Sequence, residues 1–466
     1  MIQLVEKRGN KIYLLGYSVL RLVLYLFVYF FFIAYNFKSI EAFIVILTLH
    51  ASFNLVNNLG KTLAIKEIAS LTLVIQCLLS PAICYRYYGT YWFRMMISAD
   101  IYYAYVLPAV LALLIGLNAP FFRVKYNMRD ELLKLKDHKK TLERQGIILI
   151  IVGYVAYLLS IFAPQVGFIA VALGLVRFVG FFYLWFTESK FTKILFVVIF
   201  IPYFIYIIGG GVFIDMIVTF FFLLTLFMMK KKLSKPVLVS AMLFLSFFVF
   251  LLQAVKKDYR VITWKDNAGE QYQGKSSVSI LTDLMVEQAT NLDAKTMEVA
   301  FATFNQRLNQ GFILASELKA LPNRRPFVDG EFFFRECLGI LLPRIFYPDK
   351  PEVGDHEKFN YCVTWKLHAL VSMNVGIVGD GYVNFGPVGG VLFCFLFGLF
   401  LNYITFRLMM RGSQQAEFVL WIPVILFYAM RIAGNDFYII TNWIVKVGLL
   451  VLLFYYLLNK KRQPAT

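Results

Sequence analysis

Charge is scarce in this 466-residue chain: only 16% of its residues are Asp, Glu, Lys or Arg, where a soluble domain carries about a quarter. With 60% of residues hydrophobic, ordinary soluble enzymes and DNA-binding folds are excluded. Histidine is nearly missing, and His50, His356 and His368 show no ligand spacing. The five cysteines form no CxxC and no Cys/His cluster, so no metal site is expected. Cys77, Cys84 and Cys394 lie in apolar runs, where a thiol acts as a small buried hydrophobe. Cys337 and Cys362 share a hydrophilic stretch with no motif that would pair them. No small-x-small cleavage pattern follows the basic opening residues, so the first apolar run reads as a retained helix. The absence of an internal repeat weighs against transporters built from inverted repeats.

What the chain does have is long apolar runs. Those of about 17 to 25 residues, enough to cross a bilayer, fall near residues 12–35, 41–58, 66–84, 101–122, 146–163, 166–187, 191–208, 211–229, 236–254, 387–408, 416–434 and 439–458. The expected fold is therefore an all-α integral membrane protein of about twelve spans. The net charge of +18 sits in short connections, chiefly Arg123 to Arg144 and Lys230, Lys231, Lys232 and Lys235. Basic connections mark the cytoplasmic side of a multispanning protein and call for no nucleic acid. Lys7, Arg8 and Lys11, the Arg407 to Arg411 turn, and Lys460, Lys461 and Arg462 then share that side, and both termini are cytoplasmic. Three regions follow: an N-terminal bundle over 1–254, an extracytoplasmic loop domain over 255–376, and a C-terminal membrane segment over 377–466. In the loop, Ile280, Leu281, Leu284 and Met285, then Met297, Phe301, Phe304 and Leu308 recur at helical spacing. Such amphipathic helices are expected on the bilayer surface or over the mouth of the bundle.

Two stretches carry chemistry. The first runs from Pro322 to Pro351 and alternates Arg324, Arg325, Arg335, Arg344 and Lys350 with prolines and aromatics. Proline fixes the backbone, and Arg offers a rigid donor fork that matches phosphate oxygens. Surface ion pairs with nearby acids are the alternative for this stretch. The second, Gly376 to Gly390, packs Asp380 and Asn384 among glycines just before an apolar span. Each glycine costs about 1 kcal/mol in a helix interior, so the backbone is expected to bend or re-enter, which membrane depth allows only where protein or a wet cavity encloses it. Asp380 alternatively caps the following helix. Arg177, inside an apolar span, has to point into the bundle toward a carboxylate or an anionic ligand. Arg431 and Asp436 flank Gly434 and Asn435 and read either as a pair or as part of the same external site.

The runs GFILASELKALP, FVDGEFFFRECLGILLPRIFYPDKP and GDGYVNFGPVGGVLFCFLFGLF, within about residues 300 to 405, resemble the oligosaccharide repeat unit polymerases of bacterial surface polysaccharides, the Wzy-type O-antigen polymerases. The resemblance implies a GT-C-like, metal-independent glycosyltransferase without a cofactor, in the bacterial inner membrane. It would join undecaprenyl-pyrophosphate-linked oligosaccharides at the periplasmic face into O-antigen, capsule or exopolysaccharide, with membrane lipids and a chain-length regulator as partners. It assigns the departing pyrophosphate to Arg344 and Lys350, with Arg335, Arg325 and Arg431 in support, and donor binding also to Arg307. It places Asp380 on the acceptor side beside Asn384, and Arg177 as a further ligand contact. A lipid-linked oligosaccharide flippase and an O-antigen ligase are the alternatives.

Overall fold

The computed structural model describes residues 19–88, 95–122, 127–162, 167–210, 213–231, 233–264, 275–290, 294–367 and 373–459. His368, Lys7, Arg8, Lys11, Arg123, Lys125, Lys232, Lys460, Lys461 and Arg462 lie outside them. Among the described residues the fold is helical, with one isolated β-bridge between Leu59 and Thr62. Helices answer the composition, because only a backbone that bonds to itself is stable in hydrocarbon.

Eight described helices are long and apolar enough to cross a membrane. In chain order, α1 is the shorter Val19–Ala34, followed by the spans α2 Ser39–Asn58, α3 Ile65–Tyr87 and α4 Ala99–Asn118. Next, α5 Lys139–Phe162 ends a longer helical stretch that starts at Met128, and α6 is Ile169–Phe186. The segments α7 Thr192–Gly210, α8 Phe213–Lys230 and α9 Lys235–Trp264 precede the hydrophilic part of the chain. That part holds α10 Ser277–Thr290, α11 Ala294–Leu308, α12 Gly311–Ala320, α13 Glu331–Leu341 and α14 His356–Cys362. Last come α15 Gly376–Gln414, the short α16 Ala416–Ile425 and α17 Phe437–Asn459. The other four of the twelve expected spans, near 12–35, 191–208, 211–229 and 416–434, are shorter apolar helices in the described residues. For 416–434 the reason is visible. Helix α16 stops at Ile425, a tight turn follows over Tyr428–Arg431, and the side chain of Asn435 donates to the carbonyl of Tyr428 at 3.1 Å. Hydropathy summed over a window does not register such a break.

The expected bend at the glycines is present. Gly386 has φ +67°, a conformation that strains any residue with a Cβ, and Pro387 follows it. Seventeen residues of straight helix would hold Ile377 and Cys394 about 25 Å apart, yet the Cys394 thiol lies 4.0 Å from the carbonyl of Ile377. The chain therefore doubles back on itself, with Gly381 against Gly390 so closely that a Cβ on either would meet the other's backbone at 2.9 Å. Helix α4 clasps this hairpin: the Tyr105 hydroxyl donates to the carbonyl of Val378 at 2.7 Å.

The hydrophilic segment is built into the bundle. Ile313, Leu314 and Leu318 of α12 and Phe332 and Ile340 of α13 belong to the same core as Leu73, Val106, Phe397 and Trp421. Helix α12 is buried on nearly every side, whereas the stripe of α10 covers Leu252, Val255 and Tyr259 of α9. All five cysteines carry free thiols, Cys337 and Cys362 included.

Candidate functional site

Two charged regions adjoin one another around the start of α17. The first is open. A groove of about 830 Å³ is lined by Arg344, Lys350, Glu352, Tyr438, Asn442 and Lys446 over an apolar wall of Ile169, Leu449, Leu450 and Leu453. Arg344 and Lys350, grouped by their nearness in sequence, both line the groove; sequence reasoning missed Lys446. That lysine stands nine positions beyond Phe437 in a membrane helix, and its charge acts directly on those of Lys350 and Arg344. Its signal was available, since a lone lysine in an apolar span is costly unless something uses it. Arg344 pairs with exposed Glu352 at 3.0 Å. Lys350 donates to the carbonyl of Gly339 at 3.0 Å, which closes the C-terminal end of α13. Leu449 and Leu453 of the wall are more than half exposed, as are Ile345 and Phe346 beside Arg344. Such surfaces suit lipid. The groove thus sets three cations and one carboxylate above an exposed apolar wall.

The second region is closed. Lys358 of α14 holds Glu336 of α13 at 2.5 Å, Asp380 of α15, and Asp436 at 3.5 Å. Each of these four side chains is no more than 7% exposed. Glu317 of α12 completes the set. It is fully buried, neither of its oxygens has a hydrogen-bond partner, and one packs so close to Gly379 that a Cβ there would clash with it. One cation cannot neutralise four ionised carboxylates. Burial, reinforced by Asp380 and opposed by Lys358, drives the Glu317 carboxyl well above the usual range. Burial does the same to Glu336, with Lys358 opposing and Asp380 and Asp436 adding to it. Burial works to lower the Lys358 ammonium, but Asp380, Asp436 and Glu336 override it and hold it well above the ordinary lysine value. Burial therefore favours the protonated form of the two glutamates, and the surrounding carboxylates favour the charged form of the lysine.

Asp380 was expected to face an acceptor. It lies instead behind the groove, 1% exposed, bound to Lys358 and accepting from the backbone N–H of Phe437 at 2.6 Å. Asp436 accepts from the N–H of Ile439 at 3.0 Å, so two carboxylates fix the first turn of α17. The first two turns of α17 present Tyr438 and Asn442 to the groove. Asn384 is likewise internal, accepting from the N–H of Phe333 at 3.0 Å and donating to the carbonyl of Asp380 at 2.9 Å. Asp436, considered above as a partner for Arg431, pairs with Lys358, and the Arg431 guanidinium lies 5.6 Å from the Tyr428 ring centroid.

The remaining arginines fall outside the groove lining. Arg325 donates to the carbonyls of Asn360 and Tyr361 and stacks on the Tyr361 ring, and so ties the loop before α13 to the end of α14. Arg335 pairs with exposed Glu357 at 3.8 Å. Arg177 points inward as expected, but toward rings: Tyr157 at 4.6 Å, Phe178 at 4.9 Å, and Tyr154 and Tyr203 at 5.7 Å. Its guanidinium donates to the carbonyl of Gly174 at 2.9 Å, and among the described residues no carboxylate lies within ion-pair distance. Among the described residues no His, Cys, Asp and Glu are grouped as metal ligands.

Fold and site together define an α-helical, multi-pass membrane protein with a cationic groove beside exposed apolar side chains. The chain belongs to the family defined by a domain of unknown function, DUF8712, which matches residues 94–462 and so includes both charged regions. No curated protein and no solved structure matches it.

Proposed function

We propose that this protein is a membrane glycosyltransferase that polymerises lipid-pyrophosphate-linked oligosaccharides into a surface polysaccharide. The observation that carries the reading is the groove: Arg344, Lys350 and Lys446 stand over a wall of exposed leucines, with Glu352 the one carboxylate among the lining residues. A polyprenyl pyrophosphate has the complementary shape, a dianionic head on a hydrocarbon tail. The resemblance of residues 300 to 405 to repeat unit polymerases supports the same class.

In this reading the acceptor hydroxyl oxygen attacks the anomeric carbon of the donor and forms the new glycosidic bond. The bond from that carbon to the pyrophosphate oxygen breaks, and the lipid pyrophosphate leaves with the electron pair. The three cations stabilise the charge that develops on it, and their effect is greatest where water is excluded. Glu352 accepts the hydroxyl proton, a role that buried Asp380 does not reach. Asp380 acts by positioning α17. The bacterial inner membrane, with the groove on its outer side, is the setting this chemistry requires.

The test is reconstitution with a lipid-pyrophosphate-linked oligosaccharide and a gel that resolves repeat number. Arg344→Ala and Lys446→Ala should each slow chain growth by roughly 100-fold with protein level unchanged. Near-normal ladders from the double variant would refute the assignment of the groove.

A further inference from the structure

Helix α13 is buried on one face and apolar on the other. The buried face carries Phe332, Glu336, Gly339 and Ile340. On the outward face Phe334 is 64% exposed, Leu338 50% and Leu341 72%, at the spacing that keeps side chains on one side of a helix. A tight turn follows, in which the N–H groups of Phe346 and Tyr347 donate to the carbonyl of Pro343 at 3.0 and 3.1 Å. It adds Ile345 at 87% exposure and Phe346 at 74%. Large apolar side chains scattered singly over a surface need no explanation, but a contiguous set marks a place where something other than water is met.

Contacts with α17 fix the depth of this face. With 23 residues, α17 is about 34 Å long, only a little more than the hydrocarbon thickness of about 30 Å, so its first turn marks one edge of the apolar layer. Helix α13 meets it there. The rings of Phe333 and Phe437 lie 4.9 Å apart, and a Cβ on Gly339 would meet the Tyr438 ring at 3.3 Å. Phe333 and Gly339 are about 9 Å apart along α13, yet they touch adjacent residues of α17. Helix α13 therefore crosses the start of α17 instead of running beside it. Its 11 residues measure about 16 Å, too short to span and suited to lying in the plane.

The outward face also joins that of a spanning helix. Gly330 lies beside both Phe334 and Phe385, so that a Cβ there would meet each ring at 3.3 Å. Past the bend at Gly386, exposed apolar residues continue along α15 through Val388, Leu392 and Leu396. In a multi-pass protein the outward row of a spanning helix is solvated by acyl chains, and the same solvent then meets α13 where the two faces adjoin. Arg344 and Lys350, which follow the apolar turn, supply the basic edge with which interfacial helices hold anionic headgroups.

We infer that α13 and the turn through Phe346 lie in the membrane plane, with the outward face immersed in the acyl layer of one leaflet. Arg344 and Lys350 then stand at the level of the headgroups. The inference holds whatever the groove binds.

The test uses the full chain with Cys337→Ser, in vesicles of phosphatidylcholine and phosphatidylglycerol, carrying a nitroxide at Phe334→Cys, Leu341→Cys or Ile345→Cys. Collisions with oxygen, which concentrates in hydrocarbon, are compared with collisions with a nickel chelate, which stays in water. Leu396→Cys is the hydrocarbon reference, and Glu357→Cys, whose native side chain is 75% exposed, is the aqueous one. Oxygen should dominate at all three sites as it does at Leu396, at a depth of about 5–10 Å below the headgroups. Dominance of nickel, as at Glu357, would mean that the face stands in water and overturns the inference. Exclusion of both reagents would mean a protein occupant, such as a second copy of this chain, and overturns it equally. A variant that fails to insert leaves the other two sites to decide.

Discussion

The groove and the closed cluster are opposite answers to an unbalanced set of charges. In the groove, three cations face one carboxylate and stay open; around Lys358, four carboxylates face one cation and are shut in. A guanidinium remains protonated at any physiological pH, so Arg344 stays charged at an open surface that solvent and ligands can reach. A buried carboxyl neutralises itself by taking a proton, so the cluster needs no visitor. The cluster is shut away from solvent, and the groove is open to it. The two share the first turn of α17, where Asp436 faces the cluster and Tyr438 lines the groove.

The largest effect expected from breaking this arrangement comes from Lys358. With Lys358→Met the carboxylates lose the one cation that pairs with them among the described residues, and removing one partner of a buried ion pair costs about 3–5 kcal/mol. Thermal unfolding in detergent should show the variant unfolded, or nearly so, at growth temperature. A melting temperature within about two degrees of wild type would mean that all four carboxylates are already neutral and that the lysine is not the organiser.

Next is Asp380→Asn, which keeps shape but removes the charge that Lys358 holds and weakens acceptance from the N–H of Phe437. A hydrogen bond involving a charged group contributes about 1.5–3 kcal/mol, and the melting temperature should fall accordingly. Because Asp380 acts through α17, polymerisation should fall with unchanged pH dependence. A direct proton-transfer role predicts the reverse, a stable protein with a displaced pH profile. Comparing the two readouts separates positioning from chemistry.

Much of this was legible in the sequence. The membrane class follows from the long apolar runs. The hairpin at Gly386 follows from the density of glycine beside Pro387. The union of Arg344 with Lys350 follows from their nearness in the chain, across Pro343 to Pro351. What stayed hidden depends on long-range contact. Lys446 joins Arg344 only because α17 runs beside the loop that follows α13, about a hundred residues earlier. Glu317 and Glu336 sit in amphipathic stretches where a glutamate reads as solvated. They are buried because α12 and α13 pack into the same core as the long apolar helices. Asp380 was placed by its neighbours in sequence, which say nothing of Lys358 standing over it.

The smallest effect gives the finest test of how the cluster balances itself. Glu317 in the folded chain holds its proton far above the ordinary glutamate value of 4.5, whereas in the unfolded chain it ionises near that value. Between the two the unfolded state binds fewer protons, so stability falls as pH rises above about 4.5, by up to about 1.4 kcal/mol per pH unit for this group. Lys358 does not confound that window. Its contribution is fully present below the ordinary lysine value of 10.5 and is lost only as pH climbs through its raised value. Glu317→Gln carries no titrating proton and makes no such slope, so its melting temperature should decline less than that of wild type between pH 5 and pH 9. Glu336 has the same sign and leaves a residual slope in the variant. Parallel curves for the two proteins would show that Glu317 is ionised when folded, and the closed cluster would then hold a surplus of negative charge beside Lys358, opposite in sign to the cations of the groove.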